Sequence, residues 1–418
     1  MGAVILFPAF YLLVSHNVFY LQIIVVSIFL VLYILRHKKH SLNLLDQAVL
    51  IYVVWVFGSF ALNAFFEFNF NQNLHRFTSF FIFLGYMTPY VIARNYFRNP
   101  YYLKYILWGV VGVYTLFFVY VIFQFLSFGV KDLMAARVIL GQRIPMIITF
   151  IVTLAIYYIF TSDKKTKAYL YLFCLTGIVL IFLSLTRACY FQFFIGIFFI
   201  FFIIFKTRKK SLIKKLIFVV TIFIIGFFLL SSLGVLNIES ITTRLGNVLT
   251  LDFTRQDASF IDRVAIWGGL FGELSQDPTR IIFGYGQLGP SYVGPKMISP
   301  VSGRDIQFYS AHNEYLDVLI RNGVVGLILY LVIWALVICG GFFPKREMPH
   351  DARTLFVGHS IALLGVLGYG LFHETVRFPI FGMYFWFYLG IVSAVLYSKK
   401  ESLLEKNNYK KDESYKVK

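Results

Sequence analysis

Long apolar runs, separated by short polar or basic segments, follow one another along almost the whole chain. Most of these runs are close to the roughly 20 residues that a helix needs to cross the hydrocarbon core of a bilayer. They are continuous, whereas the strands of a membrane barrel alternate apolar and polar residues. The pattern therefore predicts an all-α polytopic membrane protein with about 12 transmembrane helices. These helices are predicted at residues 3–15, 18–35, 46–66, 77–93, 105–127, 146–161, two within 168–205, 216–233, 314–340, 354–372 and 379–397.

Lysine and arginine side chains collect in the segments between the apolar runs, most densely at 36–40 and 206–215. Such basic segments mark the cytoplasmic side of a membrane protein. The net charge of +18 therefore indicates topology and not a surface for nucleic acid. Both termini are predicted to lie in the cytoplasm. The predicted domains are the first nine transmembrane helices at 1–233, a large outside loop at 234–311, the last three transmembrane helices at 312–398 and a cytoplasmic charged tail at 399–418.

The composition agrees with a membrane protein, because hydrophobic residues make up 59% of the chain and charged residues 14%. The three cysteines, Cys174, Cys189 and Cys339, all lie in apolar runs and show neither metal-binding nor CxxC spacing. No acidic motif with the spacing of metal ligands stands out either. We therefore expect neither a metal site nor a cofactor.

The segment 234–311 has no membrane-length apolar run and is longer than a passive connection requires, so we expect it to carry function. Its acidic and basic residues nearly balance, which indicates that any anion site in it is local. Residues 260–274 predict an amphipathic helix with Arg263 and Trp267 four residues apart on one face. The Gly-Tyr-Gly run at 284–286 is either a plain turn or a place where backbone N–H groups approach a phosphate.

A polar, ionisable segment that includes His312 leads directly into the apolar run 314–340. Ionisable groups at the mouth of a membrane span are unfavourable, so their presence suggests function. The positive end of the helix disfavours a second positive charge, which leaves the imidazole neutral and able to accept a proton. His312 is therefore a candidate general base, and the alternative is an interfacial histidine that only caps or packs.

Arginines on the predicted outside face are the second set of candidate functional residues, because they can bind an anion. Arg187 lies at the bend within 168–205, at the outer membrane interface. There it either binds an anion such as a lipid diphosphate or extends to the lipid headgroups. The outside loop 128–145 carries Arg137 and Arg143 against the positive-inside trend, either as a solvated segment or as an anion-facing loop.

The pattern His312-Asn313, nine residues, Gly323, two residues, Gly326 resembles the signature of the bacterial O-antigen ligase and O-antigen polymerase family. Oligosaccharyltransferases that glycosylate proteins share this signature. The order of an Arg-x3-Trp helix, a proline, a Gly-x-Gly run and the His-Asn pair also resembles the outside loop of that family. The resemblance covers roughly residues 180–340.

The resemblance implies a GT-C-like membrane glycosyltransferase of O-antigen ligase type, acting in lipopolysaccharide biosynthesis. Such an enzyme moves an oligo- or polysaccharide from a polyprenyl (undecaprenyl) diphosphate carrier onto a hydroxyl of lipid A-core outside the cytoplasmic membrane. The resemblance also implies that His312 is the base, that Arg187 and Arg263 hold the diphosphate without a metal, and that the anomeric configuration is inverted. The supporting residues that it implies are Asn313, Glu314, Asp317, Trp267, Gly323 and Gly326.

Other functions stay open from the sequence. A repeat-unit polymerase of the same family is favoured by the loop with Arg137 and Arg143, whereas the single large loop before His312 favours a ligase. A polytopic lipid or glycan transporter or flippase would place its ionisable residues nearer the bilayer midplane. The protein-glycosylating branch commonly carries a further C-terminal outside domain. We therefore predict a multi-pass enzyme of the bacterial inner membrane with its active site on the periplasmic face.

Overall fold

The computed structural model of the chain describes its central and C-terminal helices and part of the large loop. The described residues are 42–66, 69–96, 144–161, 167–184, 186–206, 258–294, 297–298, 305–306, 311–344, 350–376 and 379–397, with 105, 109, 112 and 348. Outside them lie the predicted helices 3–15, 18–35 and 216–233, nearly all of 105–127, the residues Arg137 and Arg143, and the tail 399–418.

The described part of the chain is almost entirely helical, which confirms the all-α class. Its helices are α1 Leu44–Phe66, α2 Phe70–Tyr96, α3 Ile144–Thr161, α4 Lys167–Leu183, α5 Arg187–Lys206, α6 Ala258–Ser275, α7 Pro278–Phe283, α8 Pro290–Val293, α9 Glu314–Phe342, α10 His350–Gly370 and α11 Pro379–Val392. A short antiparallel pair of strands, β1 Met297–Ile298 and β2 Asp305–Ile306, lies between α8 and α9. The last helix continues into a π-helical turn at Ser393–Tyr397.

Five helices of the described residues are long and apolar enough to cross a membrane, namely α1, α3, α5, α9 and α10. Shorter apolar helices lie at Tyr169–Ile181 and Phe381–Val395. The long apolar run 168–205 is divided into α4 and α5 near its predicted bend. Ser184 Oγ donates to the Ile181 carbonyl at 2.7 Å and accepts from the Thr186 N–H at 3.3 Å, so its side chain takes over backbone hydrogen bonding where α4 ends.

The beginning of α2 differs from the sequence prediction. The polar residues 67–76 predict an outside loop, but α2 already begins at Phe70. Asn69 explains the difference, because its Oδ1 accepts a hydrogen bond from the Gln72 N–H at 3.2 Å, as a helix N-cap does. A capped helix can continue through polar residues, and α2 therefore extends beyond the predicted span 77–93 at both ends.

The helices pack around large aromatic side chains. α10 contacts both α3 and α5, while α11 packs mainly against α2. Trp334 of α9 stacks on Phe385 of α11 with ring centroids 4.5 Å apart, and both side chains are almost fully buried. Aromatic rings bury more surface than other side chains, so this contact is a main tie between α9 and α11.

Polar contacts distinguish the two ends of the helix bundle. At one end, the Asp46 carboxylate of α1 pairs with Arg94 of α2 at 2.6 Å and accepts from Ser393 Oγ at 2.6 Å. At the other end, the Asn63 amide of α1 donates to a carbonyl oxygen of the turn after α7 at 3.2 Å. Arg76 of α2 donates to the same turn at 3.2 Å. We call this second end, where α1 ends and the large loop is attached, the site end.

Candidate functional site

His312 lies immediately before α9, where the large loop leads into the membrane helix. Its φ of +48° is a left-handed backbone conformation, which is uncommon for a residue other than glycine. Its N–H donates to Oε1 of Glu374 at 3.2 Å, and its ring lies 5.9 Å from the His373 ring, edge to face. His373 and Glu374 come from the loop after α10. The predicted base is therefore held beside a second histidine and a carboxylate from a distant part of the chain.

Asn313 caps α9 and fastens it to the end of α10. Its Oδ1 accepts from the Leu316 N–H at 3.0 Å, as an N-cap side chain does. Its Nδ2 donates to the Leu371 carbonyl at 3.1 Å. The cap fixes where the positive end of α9 begins, directly beside His312. The second residue of the predicted motif therefore positions the first.

Glu314 is buried in the first turn of α9, with only 2% of the residue exposed. Its Oε1 accepts from the Tyr330 hydroxyl at 2.8 Å, and its Oε2 accepts from the Thr375 N–H at 2.6 Å. A buried carboxylate needs donors of this kind. These bonds tie the loop that carries His373 and Glu374 to α9, so the contacts favour a scaffolding role for Glu314.

Asp317 forms a buried ion pair with Arg321, one turn further along α9. The Arg321 Nε lies 2.9 Å from Asp317 Oδ2, and both side chains are at most 9% exposed. Nη1 of Arg321 also donates to the Gln287 carbonyl at 2.5 Å. A buried ion pair is favourable only when its remaining polar atoms are also bonded. Here the further bond from Arg321 to the Gln287 carbonyl holds the large loop against α9.

α9 is kinked at Gly323, whose φ of +68° and ψ of −176° fall in a region essentially restricted to glycine. The Ile320 carbonyl accepts from the Tyr285 N–H at 2.8 Å. The Arg321 carbonyl accepts from the Gly286 N–H at 3.0 Å. The kink thus gives the helix carbonyls new partners in the large loop. Because these N–H groups are engaged by α9, the Gly-x-Gly run is a turn and these two groups do not face a phosphate.

The two motif glycines are places where other elements approach the backbone of α9. A Cβ at Gly323 would lie 1.9 Å from the carbonyl oxygen of Ile282, near the end of α7. A Cβ at Gly326 would lie 3.2 Å from the indole nitrogen of Trp55 on α1. That nitrogen donates to the Asn322 carbonyl at 2.8 Å, beside the kink. The glycines therefore let the loop and α1 pack directly on α9.

α6 places Trp267 against the residue that precedes His312. The Trp267 Nε1 donates to the Ala311 carbonyl at 2.8 Å, and α6 and α9 share a small cluster of buried apolar side chains. Arg263 lies one turn earlier on α6 and is half-buried. The predicted Arg-x3-Trp pair therefore belongs to a helix that is anchored next to His312.

Arg187 is the first residue of α5 and is half-buried. One turn further, Phe191 packs edge to face against Phe372, with ring centroids 5.7 Å apart. Phe372 directly precedes His373. The beginning of α5 therefore lies at the site end, beside the loop that contacts His312. The helices that carry the predicted base and the two predicted diphosphate ligands all reach this end.

The large loop is fastened to α1 through Arg280 of α7. Its guanidinium hydrogen-bonds to the Asn63 side chain and lies 4.7 Å from the centre of the Tyr285 ring. Burial lowers the pKa of Arg280 and raises the pKa of Tyr285. Asp277 caps α7, and hydrogen bonds from Thr279 hold the pKa of the Asp277 carboxyl below its ordinary value. The charged groups around α7 therefore serve its attachment.

His373, Glu374 and Arg321 are not singled out by the sequence. The one signal for the first two is a pair of adjacent ionisable residues in the small outside loop predicted at 373–377. Their contacts with α9 join residues about 60 positions apart, and a single sequence contains no sign of such pairs. Arg321 pairs with Asp317 at helical spacing, but its second partner, the carbonyl of Gln287, becomes visible only in the folded chain.

The described residues contain no group of three or more His, Cys, Asp or Glu side chains arranged to hold a metal ion. The ionisable side chains of the described site are histidine, carboxylate and guanidinium groups. Together these can accept a proton and bind an anion.

Comparison with protein families matches residues 170–331 to the family described as O-Antigen ligase. The matched segment begins in α4, contains Arg187, the large loop and His312, and ends in α9 beyond Gly326. It covers the whole predicted motif but not the loop after α10. No curated protein matches the chain. The resemblance is therefore confirmed over residues 170–331, which are similar to the family of membrane glycan transferases described as O-Antigen ligase.

Proposed function

We propose that the protein is a membrane glycosyltransferase of O-antigen ligase type. It moves an oligo- or polysaccharide from a polyprenyl diphosphate carrier of the undecaprenyl type onto an acceptor hydroxyl outside the cytoplasmic membrane. The observation that carries the proposal is the convergence of α6 and the loop after α10 on the backbone around His312. The family match over residues 170–331 supports the same reaction class.

His312 is the proposed general base. Its imidazole takes the proton of the acceptor hydroxyl while the hydroxyl oxygen attacks the anomeric carbon of the donor. The bond from that carbon to the diphosphate oxygen breaks, and its electron pair leaves with the diphosphate. A single attack from the opposite face inverts the anomeric configuration. In this step the imidazole accepts the proton in its neutral form, and the contacts of Asn313 and Glu374 fix the backbone at His312.

Arg187 and Arg263 are the proposed ligands of the diphosphate. Negative charge develops on this group as the glycosidic bond breaks, and fixed cations stabilise it best where water is excluded. A guanidinium group binds phosphate oxygens through paired N–H bonds, so the proposed reaction needs no metal. Arg187 is the first residue of α5 in the membrane bundle, and Arg263 lies on α6 in the large loop. A diphosphate bound by both would therefore connect the bundle to the loop.

The supporting residues act on this arrangement through the scaffold. In this proposal Trp267 anchors α6, and Glu314 holds the loop after α10. Asp317, Gly323 and Gly326 keep the large loop and α1 in contact with α9. Each assignment is supported by the hydrogen bonds and close backbone approaches described above.

We infer that the site end faces the periplasm. Arg94 lies at the opposite end of the bundle, and α5 leads towards that end and the basic segment 206–215, as the positive-inside rule requires of a cytoplasmic face. A GT-C-like topology of about 12 helices fits this orientation. Its parts are transmembrane helices at 1–233 and 312–398, a periplasmic loop at 234–311 and a cytoplasmic tail at 399–418.

The proposed acceptor is lipid A-core, which follows from the resemblance to O-antigen ligases and from the single large loop before His312. The test uses purified protein in nanodiscs with a lipid-linked glycan donor and two acceptors, lipid A-core and a second lipid-linked repeat unit. Glycan joined to lipid A-core is the expected product. Lengthened lipid-linked glycan alone would make the protein a polymerase. Movement of the donor across a liposome bilayer without a new glycosidic bond would make it a flippase.

A further inference from the structure

A groove of about 360 Å³ opens at the site end between the start of α2 and the large loop. Its lining residues come from both elements, and they are Asn69, Gln72, Glu273, Tyr285, Leu288, Tyr292 and Val293. None of them has a part in the proposed chemistry at His312. We propose that this groove binds a neutral, hydroxyl-rich segment of the glycan, away from the bond that reacts. The inference rests on the proposed function and adds to it a binding site for sugar residues.

The polar side chains of the groove suit hydroxyl groups and not phosphate. Among the seven lining residues, the charged side chain is that of Glu273, which accepts hydrogen bonds from hydroxyls and repels anions. The Gln72 amide can both donate and accept. Within the described residues, neither the Gln72 amide nor the Glu273 carboxylate forms a hydrogen bond with another protein group. Both side chains are therefore available to a ligand from opposite walls of the groove.

Tyr292 gives the groove a fixed aromatic surface. The residue is 47% exposed, and its hydroxyl lies 2.9 Å from Nε2 of His75 on α2, with the two ring centroids 4.5 Å apart. Exposed side chains usually change rotamer on a fast timescale, whereas this one is held by a partner. An aromatic ring that is ordered before binding loses less entropy when a ligand arrives. Its apolar surface, continued by Val293, fits the C–H face of a sugar ring.

Helix α6 connects the groove with the proposed site of reaction. The indole of Trp267 contacts the residue before His312, and Glu273 lies on the same helix. The two α6 residues are separated by six positions, which corresponds to roughly 9 Å along the helix axis at a rise of 1.5 Å per residue. A glycan whose reacting end stands at His312 would therefore present its neighbouring sugars to the groove.

Binding is tested with the glycan alone, released from its lipid-linked donor by mild acid and freed of phosphate. Saturation-transfer NMR on the full chain in nanodiscs should show contact with sugar protons. Tyr292→Ala should weaken this binding by about three- to tenfold, the loss of one aromatic contact. Phe271→Ala is the matched control, because Phe271 is 53% exposed and points to another side of α6 from Glu273. Absence of binding to the wild type, or equal binding by Tyr292→Ala, would overturn the proposal.

Transfer kinetics identify which substrate supplies the glycan. A higher KM for the lipid-linked donor in Tyr292→Ala and Glu273→Gln, with kcat within about twofold, would assign the groove to the donor glycan. A higher KM for the acceptor would assign it to the acceptor glycan. Unchanged KM values for both substrates would refute glycan binding by the groove and leave the proposed function intact. A protein that binds the released glycan through Tyr292 but transfers none would instead support the groove and refute the proposed function.

Discussion

Replacing Gly323 by alanine tests how firmly the large loop is built onto α9. An alanine at φ +68° and ψ −176° lies in a region essentially restricted to glycine, which costs about 1 to 3 kcal/mol. Its Cβ would also lie 1.9 Å from the Ile282 carbonyl oxygen. Relieving such a contact by shifting the backbone adds about 1 to 3 kcal/mol, as in an overpacked core. The two effects together favour detachment of the Gly-x-Gly turn from α9 by about 2 to 6 kcal/mol.

Amide hydrogen exchange at Tyr285 and Gly286 measures this detachment, because both N–H groups donate to carbonyls of α9. The exchange rate rises tenfold for each 1.4 kcal/mol by which detachment of the turn becomes easier. The lower value of about 2 kcal/mol therefore predicts at least about 25-fold faster exchange at both amides in Gly323→Ala. Glycan transfer should become slower as well, since the same contacts hold the large loop against α9, the helix that begins directly after the proposed base. Gly268→Ala is the control, because a Cβ at that position of α6 meets nothing within 4 Å.

The control should leave exchange at Tyr285 and Gly286 at the wild-type rate. Wild-type protection of both amides in Gly323→Ala, together with wild-type transfer, would refute the reasoning. In that case the kink would be able to accept a side chain, and the motif glycine would have another role.

Three further predictions concern diphosphate binding by the two arginines, the independence of the reaction from a metal ion, and the Asp277 cap of α7. Arg187→Ala and Arg263→Ala should each weaken donor binding in nanodiscs by about tenfold, with partial rescue by lysine, and wild-type affinity in both would exclude them as ligands. Transfer by purified protein should persist in excess chelator, whereas a loss restored by magnesium or manganese would contradict metal independence. Because Thr279 depresses the pKa of Asp277, the stability from this cap is present above the unfolded pKa and is lost as the pH falls through the lower folded pKa. Asp277→Asn should abolish the acid-dependent part of amide protection at Thr279, and an unchanged pH profile would contradict the cap's role.

The positions of the helices in the described part of the chain were largely predictable, because a membrane span has a hydrophobic length that the bilayer dictates. The run 168–205 is too long for one span, so a bend near Arg187 followed from length alone, and α5 begins there. The start of α2 was not predictable in the same way. Asn69 caps the helix in a polar stretch, and such a cap extends a helix without adding hydrophobic residues.

The contacts of the site were less accessible from the sequence than its motif. The apolar run 314–340 predicts one continuous helix, but the structure shows a kink at Gly323. The sequence does not reveal this kink, because Ile282, which approaches Gly323 there, is distant in sequence. Glu314 likewise reads as a residue available to an acceptor. Its partners Tyr330 and Thr375 become visible only when α9 and the loop after α10 are together. Long-range hydrogen bonds of this kind have no periodicity from which they could be read.

The most direct test of the proposed mechanism pairs donor affinity with transfer rate in His312→Ala, measured in nanodiscs. His350→Ala is the control, because His350 is an exposed histidine at the start of α10, away from the site end. If His312 is the base, transfer should fall by about 10²- to 10⁴-fold in His312→Ala, while donor affinity stays near the wild-type value because Arg187 and Arg263 hold the diphosphate. The control should match the wild type in both measurements. Near-normal transfer by His312→Ala would contradict the base assignment, and a large loss of donor affinity would make His312 a binding residue instead.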